Sequence, residues 1–234
     1  MKIIKPQYFI LTPIDKTIIY KQIENAARTC YKSEDKITDT SATKMVKALV
    51  KNRHEAMLEH AYISVKFVVD RGVANEMVRH RIASYAQEST RYCAYNKGVF
   101  NSEITVIAPN FWSESNSCYT VWKESCEQAE KAYMKLLDTG AKPEEARDVL
   151  PLSLKTEIVV TMNLREWRHF LNLRAANSTG IAHPQIREVA VPLLNRFYEE
   201  IFRDIFYRFS AYRKPYSALA FSVISVTKSV LACV

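Results

Sequence analysis

The sequence predicts an α+β fold contained in a single domain. Short segments of β-branched and aromatic residues, some with period-two alternation, are separated by amphipathic stretches of unequal length. Only 4 glycines occur in 234 residues, and no linker, internal repeat or low-complexity segment interrupts the chain. A chain of this length buries its own core.

The elements follow in order. A strand is expected from Ile3 to Leu11. Asp15 can cap a helix whose Ile19, Ile23, Ala26, Ala27 and Cys30 recur at helical spacing. A second helix follows Ser41, with Met45, Val46 and Leu49 as its stripe. Alternation of Ile63, Val65, Phe67 and Val69 marks a strand over Tyr62 to Val69. Arg71-Gly72 then turns the chain into a short helix expected to run to about Ser84. A long amphipathic helix spans Tyr119 to Asp138 and stops at Gly140. Pro143, with Glu144 and Glu145, opens another, since proline loses nothing at a first turn and carboxylates favour that pole. Leu154 to Met162 reads as a strand, Asn163 as the cap of the next helix, and Arg187 to Phe209 as a final long helix. We divide the chain into a domain over 1–216 and an apolar tail over 217–234. The tail's apolar run is too short to span a bilayer before Lys228 interrupts it.

The charge excludes some partners and favours others. Thirty-three Lys and Arg against 25 Asp and Glu leave a net +8, which points to anionic partners: nucleic acid or phosphorylated small molecules. Gly72, Gly98, Gly140 and Gly180 lie too far apart for a G-x-G-x-x-G turn or a P-loop. Any dinucleotide phosphates must therefore meet arginines and helix ends. Five cysteines, odd in number and without a C-x-x-C pair, suit a reduced, cytoplasmic chain. No charged-then-apolar leader is expected at the N-terminus.

The run Arg79-His80-Arg81-Ile82-Ala83-Ser84-Tyr85-Ala86-Gln87-Glu88-Ser89-Thr90-Arg91 gathers three arginines, a histidine and several hydroxyls. Guanidinium forks match phosphate oxygens two at a time, so this composition suits a multiply charged anion. Together with Tyr92, it resembles the signature of the flavin-dependent thymidylate synthases. The resemblance takes in Asp70-Arg71-Gly72-Val73 and Glu76-Met77-Val78 before it. It also takes in His54-Glu55 with Glu59-His60, and Asn163-Leu164-Arg165 with Phe170-Leu171-Asn172-Leu173-Arg174. These blocks keep the family's order and spacing over roughly residues 25–210.

The resemblance implies a mixed, largely antiparallel sheet packed with helices and a homotetramer with sites where protomers meet. It implies reductive methylation of dUMP to dTMP, with methylenetetrahydrofolate as carbon donor, NADPH as reductant and bound FAD between them. FAD is expected at His54, Arg79, His80, Arg81, Gln87, Asn163, Leu164, Arg165 and His169. Substrate is expected at Glu76, Met77, Val78, Arg79, Gln87, Glu88, Ser89, Thr90, Arg91, Arg147 and Arg174. Among these, Arg174 is assigned the catalytic role against the uracil ring. Ser89 has no nearby base for nucleophilic activation and is assigned to phosphate.

One helix supports that assignment from its pattern alone. Leu164, Trp167, Leu171 and Arg174 share a face of the helix after Asn163. An unpaired guanidinium buried there would cost several kcal/mol, so Arg174 must reach water, an anion or an acceptor. The histidines show no metal-ligand spacing, and no metal is expected. Departures from the family pattern are Ala86 and Ala56, where a polar residue is common, and His169, which is Asn in some relatives. A basic nucleic-acid-binding protein, stacking bases on Tyr85, Tyr92 and Tyr95, is the alternative; it predicts a colourless protein with salt-sensitive oligonucleotide binding.

Overall fold

A computed structural model describes residues 1–96 and 102–206. The tail over 217–234 lies outside the described residues. The strands are β1 (Lys2–Ile4), β2 (Gln7–Ile10), β3 (Tyr62–Asp70), β4 (Ser84–Gln87), β5 (Thr105–Ile107) and β6 (Lys155–Asn163). The helices are α1 (Lys16–Tyr31), α2 (Ser41–Lys51), α3 (Arg71–Met77), α4 (Ser117–Asp138), α5 (Pro143–Ala146), α6 (Leu164–Arg174), α7 (Pro184–Arg196) and α8 (Arg203–Phe206).

The main sheet is antiparallel, in the order β2-β3-β6-β4, while β1 and β5 form a separate parallel pair. This is the α+β architecture with a largely antiparallel sheet. Register explains why the sheet is one-sided. Ile63, Val65 and Phe67 stand opposite Met162, Val160 and Ile158, and all six are buried. Between them on the other face come Ser64 opposite Thr161, their hydroxyls 2.8 Å apart, and Lys66 paired to Glu157 at 3.1 Å. Alternation thus buries one face under α1, α6 and α7 and leaves polar groups on the other.

A second, smaller core joins Ile104, Val106, Cys126, Tyr133, Ala146 and Leu154, drawing on β5, α4 and α5. The caps are as read. The Asp15 carboxylate accepts from the backbone N–H of Thr17 and Ile18, and the Asn163 side chain accepts from that of Glu166.

Four expectations change. The strand over 3–11 divides at Lys5-Pro6, because Pro6 has no ladder N–H and keeps its neighbour extended; β1 then serves the small pair and β2 the main sheet. The helix expected to reach Ser84 ends at Met77. Extending its buried Val73–Met77 stripe would put Arg81 against the core, so the chain leaves the helix and pairs as β4 on the β6 edge. Strand β5, too short to show a period, joins the order between β4 and α4.

The last helix starts at Pro184, and Arg196 is followed by a π-turn over Phe197–Ile201. Phe197, Phe202 and Phe206 are all fully buried, at i, i+5 and i+9. A 3.6-residue turn would fan them apart. The wider turn, closed by Phe202 N–H on Phe197 O at 2.6 Å, brings them to one core. The described part of that expected helix ends at Phe206.

Glu188 of α7 gives the fold a pH dependence. Its Oε2 is buried and, among the described residues, has no hydrogen-bond partner. Burial pushes its carboxyl up to about 7, with Lys5 opposing and Asp70 adding to the rise. An unfolded glutamate ionises near about 4.3. Between the two values the folded chain keeps a proton that the unfolded chain has lost, so stability falls as pH rises through this window and levels above it. Glu188→Gln should flatten the decline, gaining on the parent by roughly 1–2 kcal/mol between about pH 5 and 8 after allowance for partial solvent screening. Urea midpoints across that range check it, and parallel curves for the two proteins would contradict it.

Candidate active site

The site grows from the meeting of α3, the segment leading into β4, and α6. Asp70 caps α3 by accepting from Val73 N–H at 2.7 Å, and Gln185 donates to its other oxygen at 3.2 Å. The end of α3 is tied to β4 by Tyr85, whose hydroxyl lies 2.8 Å from Met77 O and 2.5 Å from His80 O. Burial, with the Glu166 charge adding, raises this phenol to about 12. It stays protonated and donates.

That clamp delivers His80 beneath α6. His80 is buried, edge-on to Phe170 at 4.9 Å and to His169 at 5.7 Å. Arg174 Nε donates to His80 Nε2 at 3.1 Å, and Arg174 Nη1 donates to Glu76 Oε2 at 3.1 Å. On the other side of the ring, His80 Nδ1 lies 3.4 Å from Glu166 Oε1. Burial first, then the Arg174 and His169 charges, pull the His80 pKa down to about 4, so the ring is neutral at physiological pH. Burial raises Glu166 above the ordinary carboxylate range, and His169 and Arg165 partly offset this.

The Arg174 guanidinium thus finds both acceptors its apolar helix face requires, while its side chain remains 23% exposed and open to a further partner. The end of α6 is held by Arg187, which donates to Ala175 O at 2.9 Å and to Asn177 Oδ1. A cavity of about 780 Å³ opens beside Glu76, with Phe111, Trp112, Trp122 and His183 in its wall.

The expected residues fall into distinct settings. Glu76, His80, His169 and Arg174 come together in this cluster. His54 is exposed at the head of the turn over Glu55–His60. That turn is fastened to α6 by ion pairs Glu59–Arg165 at 2.5 Å and Glu55–Arg168 at 3.3 Å. Arg79, Arg81 and Val78 are exposed between α3 and β4, and Gln87 donates to Thr156 Oγ1 at 3.2 Å.

Ser89 shapes the loop after β4 by accepting from Arg91 N–H at 3.3 Å, and the Arg91 guanidinium stacks over Tyr92 at 5.2 Å. Arg147 stands exposed beyond α5, on the smaller core. Among the described residues, Arg79, Arg81, Arg91 and Arg147 form no ion pair, in contrast to Arg165, Arg168 and Arg174.

Other side chains are already engaged within the protomer. Met77 and Leu164 are fully buried core residues, Thr90 is buried, and Asn163 is committed to its cap, so Met77 and Leu164 can offer a ligand only backbone groups. Glu88 accepts from Lys155 at 2.8 Å and from the Tyr95 hydroxyl at 3.2 Å.

Sequence reasoning assigned no role to Glu166, and none to Tyr85 as a clamp. Its only signal for the first was the i, i+3 spacing of Glu166 and His169, since His80 lies far away in the chain. Ligand atoms of His80, Glu166 and His169 all lie within 4.8 Å of one another. Arg174 Nε already donates to His80 Nε2 and the Glu166 carboxylate lies 3.4 Å from His80 Nδ1, so a metal at this trio would have to displace a guanidinium.

The sequence profile of the thymidylate synthase complementing protein family, Thy1, matches residues 14–201. The flavin-dependent thymidylate synthase of Pyrococcus abyssi is 36% identical over 163 residues, covering 69% of this chain; the match spans 65% of that relative's length. The corresponding protein of Geobacter sulfurreducens is 34% identical over 176 residues, 72% of this chain and 73% of the relative. In fold, the chain is similar to the UMP/dUMP methylase PolB from Streptomyces cacaoi, solved with 5-Br dUMP bound. The TM-score is 0.71 at 22% identity, covering 90% of this chain and 97% of that one. The chain belongs to the thymidylate synthase complementing protein family, the family of the flavin-dependent thymidylate synthases.

Proposed function

We propose that this protein methylates dUMP to dTMP, using methylenetetrahydrofolate as carbon donor, NADPH as reductant and bound FAD as electron carrier, as a cytoplasmic homotetramer. The observation that carries the reading is Arg174, a guanidinium aimed by Glu76 and His80 at the edge of an otherwise apolar helix face, with part of its surface still open. Family membership supplies the reaction class.

The residues fit a flavin dinucleotide. Arg79 and Arg81 are exposed and, among the described residues, have no carboxylate partner, which suits pyrophosphate binding, and the imidazoles of His54 and His169 are exposed for polar contacts. Arg165 is bound to Glu59 only in a surface ion pair, which is cheap to exchange for a phosphate. Bound FAD would supply the redox chemistry, taking hydride from NADPH and delivering it to the carbon being reduced to a methyl group.

The chain's own part is positioning and electrostatics. Arg91, Arg147 and Ser89 hold the nucleotide phosphate. Arg174 lies against O2 or N3 of the uracil and stabilises the negative charge that develops as C5 gains electron density. Glu76 and His80 keep its fork from rotating. Completion of the site by neighbouring subunits belongs to the same reading and follows from the resemblance to the family.

The test is direct. Purified protein should be yellow, and should convert dUMP to dTMP only when methylenetetrahydrofolate and NADPH are both present. A colourless protein that refuses added FAD would overturn the reading, and salt-sensitive oligonucleotide binding in its place would favour the nucleic-acid alternative.

Arg91→Ala and Arg147→Ala should each weaken dUMP binding by roughly 1.5–3 kcal/mol, the range for charge-assisted bonds, with flavin content nearly unchanged. Titration calorimetry with dUMP and flavin absorbance, read on the same preparations, checks this. A variant that lost flavin but kept its dUMP affinity would reverse the division of the arginines.

A further inference from the structure

Glu166 stands behind the Arg174 cluster, and none of the roles above uses its carboxylate. Its backbone N–H receives the Asn163 cap at 2.8 Å, which fixes the first turn of α6. Its side chain is buried and meets His80 Nδ1 at 3.4 Å. Two facts restrict what passes between them. Arg174 Nε can only donate, and it donates to His80 Nε2, so that nitrogen presents its lone pair. The ring is neutral, so its single proton sits on Nδ1, facing Glu166. The row therefore runs Glu166, His80, Arg174, Glu76: Arg174 donates to His80 Nε2 and to Glu76, and His80 Nδ1–H faces the Glu166 carboxylate at 3.4 Å.

Without an acceptor at Glu166, an imidazole is free to carry its proton on Nε2. That nitrogen would then point a hydrogen at a guanidinium hydrogen, and Arg174 would turn away. We propose that Glu166 is the positioning residue that fixes the His80 tautomer and through it the direction of the Arg174 fork. The assignment of a catalytic consequence rests on the dUMP reading above. The cap on Glu166 is made by its backbone, so replacing the side chain leaves that bond in place.

The experiment compares Glu166→Ala, Glu166→Gln and Glu166→Leu in the full chain. The first readout is the ¹⁵N spectrum of the histidine rings, with His80 assigned by its loss in His80→Gln. The parent and Glu166→Gln should show His80 protonated on Nδ1, because a glutamine oxygen still accepts. Glu166→Ala and the volume-keeping Glu166→Leu should move that proton to Nε2. The second readout is dTMP formation. Glu166→Ala and Glu166→Leu should lower kcat by about 10–100-fold, the scale on which a supporting hydrogen-bond partner acts, while Glu166→Gln stays within about threefold of the parent.

His80 remaining protonated on Nδ1 in both Glu166→Ala and Glu166→Leu would overturn the proposal, as would equal loss of activity in Glu166→Gln. A tautomer that moves as stated in a protein that never forms dTMP would uphold the positioning role and remove the dUMP reading instead.

Discussion

Arg174→Ala is expected to reduce dTMP formation by roughly 10²–10³, the usual result of deleting one donor that meets charge in a transition state. NADPH oxidation through the flavin should remain largely intact. The structure shows why the two half-reactions should separate. Arg174 belongs to a cluster with Glu76 and His80 at the end of α6, whereas Arg79 and Arg81, the exposed cations suited to the pyrophosphate, lie outside that cluster's hydrogen bonds. Truncation also leaves Glu76 and His80 facing each other without their shared donor. Glu76 is one-third exposed and can be solvated, so stability should change modestly.

Arg174→Lys should recover only part of the loss. A lysine supplies the charge but cannot hold Nε2 of His80 and a carboxylate oxygen in one rigid plane. Stopped-flow flavin reduction and dTMP formation measured on the same variant decide the matter. Equal loss in both would mean that Arg174 maintains the flavin site, and its assignment to the uracil would fall.

The legibility of this chain follows the range of the interactions involved. Asp15 and Asn163 were readable as caps because the cap and the N–H it satisfies lie within three residues. Strands β3 and β6 were readable because nine residues are enough for alternation to show. Strands β4 and β5 were not, being four and three residues long and held by partners distant in sequence. The π-turn was hidden because it answers a packing demand among Phe197, Phe202 and Phe206 that only the assembled core imposes.

In the site, Arg174 stood out as a cation on an apolar face, but its acceptors Glu76 and His80 come from another helix and the segment after it. Glu166 gave only its i, i+3 spacing to His169 as a signal. A glutamate near a helix start is ordinary until the fold sets His80 beside it.

Trp167→Ala should destabilise the fold by about 3–5 kcal/mol, the cost of removing a fully buried large aromatic. Trp167 is fully buried, meets Phe170 and Phe197 edge-on at 5.6 Å and 5.7 Å, and lies tilted 6.4 Å from Phe67. Its indole N–H donates to Ile63 O at 3.0 Å, a bond that joins α6 to β3. Trp167→Phe tests the two contributions separately. It keeps most of the apolar volume but gives up the indole N–H, and should cost about 1–3 kcal/mol for the lost bond and the smaller ring.

The consequence reaches the site, because α6 carries Glu166, His169 and Arg174 on the turns around Trp167. In Trp167→Ala the helix loses its fixed seat on the sheet, so dTMP formation should fall even below the melting range, whereas Trp167→Phe should stay near the parent. Urea unfolding gives the stability series, and turnover at a temperature where all variants are folded gives the activity series. A Trp167→Ala protein with unchanged turnover would show that the Arg174 cluster is held by its own hydrogen bonds and not by the seating of its helix.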